Sequence, residues 1–226
     1  PEMFCCPYDN GCFRAYGEAE GGPAYQTLSA LAKERGIWLV GGTVPELAEG
    51  KVYNTCYVFA PDGQMVAKHR KMHLFDIDVK GGQRFMESET LTAGDSVTTF
   101  DTPWGRVGVC VCFDFRFTEL SELMVLSGAK LIVVPAAFNM TTGPAHWELL
   151  FRQRAVDGQY RGHLPGPGHR GGLCGLGPFH RLRPLGHRGA PVRRDAAGSR
   201  HHPGHGAGGC HPAAAPHPLR PADGCV

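Results

Sequence analysis

Missing from the 226-residue chain is any apolar run near the roughly 20 residues that a membrane-spanning helix needs; the longest, residues 131–138, is broken by Pro135. No membrane partner is expected. Also missing is a Cys-x-x-Cys pair. Nine cysteines are present, but the six in the first 160 residues have neither zinc-ligand nor disulfide-framework spacing. Cys56, Cys110 and Cys112 fall instead on apolar, strand-like segments, the pattern of reduced thiols in a cytoplasmic or mitochondrial-matrix protein. A formal net charge of +2 supplies no dominant field to attract a nucleic acid. That small number conceals a split, since residues 1–160 hold 14 Lys and Arg against 19 Asp and Glu, whereas 161–226 hold nine Arg, no Lys and two Asp. The last 66 residues also lack Ile, Met, Asn, Gln, Thr, Tyr, Trp and Glu, while carrying 15 Gly, 10 Pro and nine of the 12 His. Such a composition cannot build a core. The reading is of a domain over 1–160 joined to a low-complexity, disordered Gly/Pro/Arg/His tail over 161–226.

What is present over 1–160 alternates helix and strand. Tyr25, Leu28, Leu31 and Ala32 recur at helical spacing between Pro23 and Arg35, with Gly36 placed to cap the C-terminus. A buried strand is expected over 37–44. Residues 52–59 and 64–69 read as a hairpin turned by Pro61, Asp62 and Gly63. Further strands are expected over 106–112 and 131–136, and amphipathic helices over 117–127, ending at Gly128, and over 144–156, with Pro144 in the first turn. Alternation of this kind predicts an α/β layer architecture.

Three segments carry chemistry. Gly108-Val-Cys-Val-Cys112-Phe-Asp-Phe-Arg116-Phe is a β run leading into a helix. It sets the Cys112 sulfur at a helix N-terminus, where free N–H groups favour thiolate and can hold an oxyanion. The plain alternative is a buried packing thiol. Lys68-His-Arg-Lys71-Met-His73 ends the hairpin, and its plain alternative is a solvated basic face. Pro1-Glu2 puts a carboxylate on a strand-exit loop. His201, His202, His205, Cys210 and His211 in the tail invite a metal reading, but their spacing among Gly and Pro argues against it, and no metal is expected.

Taken together, the three segments resemble the nitrilase superfamily of carbon–nitrogen hydrolases. Pro-Glu matches at Glu2, Arg-Lys-x-His-Leu at Lys71, and Gly-x-x-x-Cys-[Tyr/Phe]-Asp-x-Arg-Phe at Cys112, in the family's order. The resemblance implies a four-layer α-β-β-α sandwich. It implies a thiol amidase in which Glu2 is the general base, Cys112 the nucleophile, and Lys71 with the backbone N–H of Phe113 the oxyanion stabiliser. Glu87 then supports the lysine or the base. No cofactor is implied. Lys51-Val-Tyr-Asn-Thr-Cys56, His73-Leu-Phe-Asp-Ile-Asp-Val79 and Phe138-Asn-x-Thr-Thr-Gly-Pro-Ala-His-Trp resemble the branch that hydrolyses short 2-oxo-dicarboxylic monoamides such as 2-oxoglutaramate. A deamidated-glutathione-type amidase and a catalytically inactive fragment remain the alternatives. Arg116 is the candidate partner for a distal substrate carboxylate, against a helical salt bridge to Glu119 or Glu122, and Tyr8 is a candidate hydrogen-bond donor to substrate. His73 reads as structural, and Cys5, Cys6 and Cys110 as packing or loop thiols. The intact family member is expected to be a homodimer.

The resemblance stops near Tyr160. Back-translating 173–187 and shifting by one nucleotide permits Tyr-Val-Ala-Trp-Gly-His-Ser-Thr-Val-Phe-Asp-Pro-Trp-Gly, which is similar to the family's next motif. The tail therefore reads as the continuing gene translated out of frame. The fold is expected to be incomplete at both ends, leaving Glu2, beside the first residue, with nothing to hold it.

Overall fold

The computed structural model describes residues 1–80, 84–139 and 142–158, together with the backbone of 161–163, 169–170 and 173–174. Apart from those three short backbone stretches, the tail lies outside the described residues.

Asp9, extended and accepting from the Gly11 N–H, caps the short helix α1 (Asn10–Phe13). The helix α2 (Pro23–Arg35) matches the sequence expectation. It begins on a proline, carries Lys33 and Arg35 in its last turn, and stops where Gly36 enters the left-handed region at φ 60°. Then come β1 (Leu39–Val40) and β2 (Val44–Ala48), where one strand over 37–44 was expected. The break falls at residues 41–43. Gly42 has φ 72°, and a Cβ there would meet the Pro1 carbonyl at 2.6 Å. Thr43 donates its N–H to that carbonyl at 3.1 Å and accepts at its own carbonyl from the Phe4 N–H, also at 3.1 Å. The chain leaves the sheet there to hold the segment that carries Glu2.

The hairpin forms as expected from β3 (Lys51–Phe59) and β4 (Met65–Arg70), and β3 is the centre of the first sheet. Antiparallel β1 and β2 line one edge of β3 in succession, and antiparallel β4 lines the other. Alternation along β3 sends Tyr57 and Phe59 toward α2, where Tyr25 and Leu28 receive them, and sends Cys56 and Val58 the opposite way. Burying Phe59 completely contributes about 1.5–3 kcal/mol. A small ribbon, β5 (Asp76–Asp78) with β6 (Arg84–Met86), leads into a 3-10 turn at Glu87–Glu89.

The second sheet follows, with β7 (Thr98–Thr102) antiparallel to β8 (Gly105–Val109), and β9 (Ala129–Val133) parallel to β8. The backbone of β10 (Arg161–His163) adds a parallel strand beyond β9. Helices α3 (Thr118–Leu126) and α4 (Gly143–Gly158) cover its outer face. Gly108 is where α3 comes closest, since a Cβ there would meet Met124 Sδ at 2.7 Å. Val107 and Val109 share one core cluster with Cys56 and Val58, so the two sheets pack face to face. The order α2, sheet, sheet, α3 with α4 is the four-layer sandwich. Cys6, Cys56, Cys110 and Cys112 are buried and reduced.

Candidate active site

Glu2 is 4% exposed and well held, contrary to the expectation of an unsupported carboxylate. The Met3 N–H donates to Thr43 Oγ1 at 2.7 Å, which fastens the chain just after it. Oε1 accepts from Lys71 Nζ at 2.8 Å, Asn54 Nδ2 at 2.9 Å and the Tyr8 hydroxyl at 2.9 Å, while Oε2 accepts from the Ala137 N–H at 3.1 Å. These partners come from the segment before α1, from β3, from the end of β4 and from the loop after β9. Segments far apart in the chain therefore converge on one side chain.

Lys71 is fully buried. Strand parity explains this: Lys68 and Arg70 point to the face where Glu46 takes both, while His69 and Lys71 point between the sheets. The basic run thus divides across the sheet, so it does not form one solvated face. The Lys71 N–H donates to the Asn54 carbonyl at 2.8 Å, and its carbonyl accepts from the Gly94 N–H at 2.8 Å. Nζ also donates to Glu87 Oε1 at 2.9 Å. Burial works against the ammonium, but Glu2 and Glu87 outweigh it and hold the pKa above the ordinary lysine range. For Glu87 burial wins, reinforced by the charge of Glu2, and the pKa is raised despite Lys71. Its Oε2 accepts from the Phe75 N–H at 2.7 Å, and the Tyr8 hydroxyl contacts Oε1. Tyr8 thus spans the two carboxylates, and its own pKa is pushed well up by burial and by their charge.

Cys112 opens a 3-10 turn, Cys112–Arg116, in the left-handed conformation at φ 45°. Its N–H donates to the Pro135 carbonyl at 2.8 Å. The Glu2 carboxylate and the Ala137 N–H lie close enough to act on the ionisation of the sulfur, in opposite directions. Burial reverses the expectation of a readily formed thiolate. Burial, followed by the charge of Glu2, raises the thiol pKa well above its ordinary value, with Lys71 opposing. One short turn of N–H dipoles does not overcome desolvation of a buried sulfur, so the resting group is a thiol beside a carboxylate. The Phe113 ring packs against Phe75 and Phe117.

Among the described residues Arg116 makes neither of the helical salt bridges, to Glu119 or Glu122, that stood as the alternative to a substrate role. Its guanidinium donates from Nη1 to His146 Nδ1 at 3.0 Å and lies 5.6 Å from the Phe113 ring and 5.2 Å from the Phe138 ring. Burial lowers its pKa, while the nearby Cys112 pulls the other way. His146 was not singled out in the sequence. Nor was Asp114, which is fully buried and accepts five hydrogen bonds. The signal for Asp114 was an acid two residues past the nucleophile, where a side chain can turn back onto free N–H groups. His73 stacks on Phe117 with ring centroids 3.7 Å apart and bonds to Asp114. No cluster of three or more potential metal-binding side chains occurs among the described residues.

A thiol, a carboxylate beside it, and a buried ammonium shared by two carboxylates make a constellation suited to acyl transfer through a thioester. Residues 1–160 match the family model for carbon-nitrogen hydrolases, and the chain belongs to that family. Its curated relatives include omega-amidase NIT2-B of Xenopus laevis, 57% identical over 159 residues that cover 70% of this chain and 58% of the relative. Omega-amidase NIT2 of Homo sapiens is 56% identical over 159 residues, with the same shares. The chain thus spans 58% of the length of the curated relatives it matches. Among solved structures, Saccharomyces cerevisiae Nit3, a member of branch 10 of the nitrilase superfamily, superposes with a TM-score of 0.71 at 41% identity, covering 81% of this chain and 67% of that one. The C. elegans NitFhit protein gives a TM-score of 0.67 at 32% identity, covering 78% and 43%.

Proposed function

We propose that this chain is an amidase of the omega-amidase type, hydrolysing 2-oxoglutaramate or 2-oxosuccinamate to the 2-oxo acid and ammonia. Supporting the reading are the omega-amidase relatives and one observation above all: Glu2 bonds Lys71 Nζ at 2.8 Å while its charge acts on the Cys112 thiol. In this scheme Glu2 takes the thiol proton as sulfur attacks the carboxamide carbon. It then passes that proton to the departing nitrogen, which leaves poorly unless protonated. Of the three ammonium N–H bonds of Lys71, two are committed to Glu2 and Glu87. The third, with the Phe113 N–H, takes the oxyanion. Water deprotonated by Glu2 then releases the acid from the thioester. Glu87 and Tyr8 hold Lys71 and Glu2 in register, which gives Tyr8 a role within the catalytic cluster beside any contact with substrate. Arg116, whose guanidinium has no carboxylate partner among the described residues, receives the distal carboxylate as a bidentate pair.

Ammonia release from 2-oxoglutaramate by the full chain, lost in Cys112→Ala and in Glu2→Gln, tests the reading; turnover that survives Cys112→Ala refutes the nucleophile. We further propose that the protein pairs with a second copy through α3 and α4, where Leu123, Leu126, Leu149 and Val156 stand exposed. A monomer by sedimentation at micromolar concentration overturns that. A cytoplasmic or mitochondrial location completes the proposal and is tested by fractionating cells that express the chain.

A further inference from the structure

We propose that Asp114 is a positioning residue, whose carboxylate fixes the Lys71 loop against the Cys112 turn and so sets the distance from ammonium to nucleophile. The proposal rests on the amidase reading only for its kinetic test.

The observation is one carboxylate at the meeting of two chain segments, residues 69–73 and 111–114. Oδ2 accepts from the N–H of Val111, the residue before the nucleophile, at 2.9 Å. Oδ1 accepts from the N–H groups of Met72 at 3.1 Å and His73 at 2.7 Å, the two residues that follow the lysine. His73 Nδ1 adds a third bond to Oδ1 at 2.8 Å. The remaining donor is His69 Nε2, 3.0 Å from Oδ2, whose other ring nitrogen faces Thr98 Oγ1 at 2.9 Å. A carboxylate can only accept, so this network fixes the protons on His69 Nε2 and His73 Nδ1. Val111 follows β8 and Met72 follows β4, strands of different sheets, and the Asp114 side chain ties the two loops in two bonds. Although burial opposes it, bonding from His69 and His73 holds the Asp114 carboxyl below the usual carboxylate range, so the tie stays charged.

Asparagine has nearly the same shape, but its amide would point N–H bonds at donors on one side or the other. Either Val111 or the Met72–His73 pair then loses its acceptor, and the lysine loop is free to shift. In the full chain, Asp114→Asn is expected to lower kcat by about 100-fold, the order of loss for a misplacement of ~1 Å. KM should change little, because Arg116 and Phe138 keep their contacts. A second readout needs no turnover: the rate of iodoacetamide alkylation at Cys112, followed by mass spectrometry of its peptide from neutral to alkaline pH. Removing a negative charge alone makes the thiolate easier to form and moves the alkylation midpoint down. Releasing Lys71 removes the cation that opposes burial at Cys112 and moves it up. An upward shift together with lost kcat supports positioning; a midpoint that stays or falls overturns it, whatever the turnover. If the unmutated chain releases no ammonia, the amidase reading fails by itself and the midpoint still decides the role of Asp114. His73→Phe keeps a ring on Phe117 and removes a single donor, so it should move the midpoint up by less. Should Asp114→Asn fail to fold, the absence of any shift in His73→Phe overturns the proposal.

Discussion

Replacing Lys71 with methionine is the sharpest probe of how the cluster is held together. The ammonium is fully buried, 2.8 Å from Glu2 and 2.9 Å from Glu87, and removing it leaves two carboxylates facing each other without a cation. Deleting one partner of a buried ion pair costs about 3–5 kcal/mol, because the partner's desolvation is no longer offset. With a urea m-value of about 2 kcal/mol/M, the unfolding midpoint should fall by roughly 2 M near neutral pH. The pH dependence gives the sign. Glu87 already has a raised pKa, so its folded form favours the proton, and without Lys71 that preference strengthens. The stability attached to that proton is fully present below the unfolded glutamate pKa and is lost as pH rises through the folded one. The gap between mutant and parent should therefore be widest at neutral pH and should narrow as the carboxylates protonate in acid. Lys68→Met is the control, since Lys68 bonds Glu20 and Glu46 from a partly exposed position and its pairs are worth about 1 kcal/mol or less. Urea unfolding by fluorescence of both variants at neutral and mildly acidic pH makes the comparison. A Lys71→Met loss no larger than the control's, and independent of pH, refutes an ionic cluster held by its cation.

Three further outcomes are expected. Arg116→Ala should lower kcat/KM for 2-oxoglutaramate by about 10–100-fold, the worth of charge-assisted hydrogen bonds, while barely affecting a simple amide without a carboxylate; equal losses on both would remove Arg116 from substrate recognition. Gly108→Ala should destabilise by about 1–3 kcal/mol in thermal or urea unfolding, because its Cβ would press on Met124 Sδ at 2.7 Å. In acid, the depressed carboxyl of Asp114 contributes stability that is present above its unfolded pKa and is lost as pH falls toward its folded one. Below about pH 4, acid unfolding of the parent should therefore be steeper than that of Asp114→Asn.

Much of the fold and most of the cluster could be read from short stretches of chain. The helix α2 announced itself by its 3.6-residue period, a proline at its start and Gly36 at its end, all local features. Glu2, Lys71 and Cys112 stood out because each sits in a compact motif whose neighbours are also constrained. What escaped was set by distant partners. The break at Gly42 exists because Pro1 and Phe4 pack there, some 40 residues away in sequence. Asp114 takes its bonds from Met72 and His73, 42 and 41 positions earlier, which no window on the chain contains. The Cys112 acidity is hidden from sequence for a related reason: local dipoles can be read from it, whereas the depth of burial that outweighs them cannot.

The sharing of Glu2 between Lys71 and Ala137 bears on how the molecule reaches its native state. One bond closes a loop of 69 residues and the other a loop of 135. Contacts of such separation form late, after the hairpin and the second sheet have met. The ionic cluster therefore cannot nucleate collapse. It acts afterwards as a lock, because any other pairing of the two sheets strands a charged lysine in an apolar layer. Weakening the lock at Glu2 should then hasten unfolding while leaving the refolding rate nearly untouched.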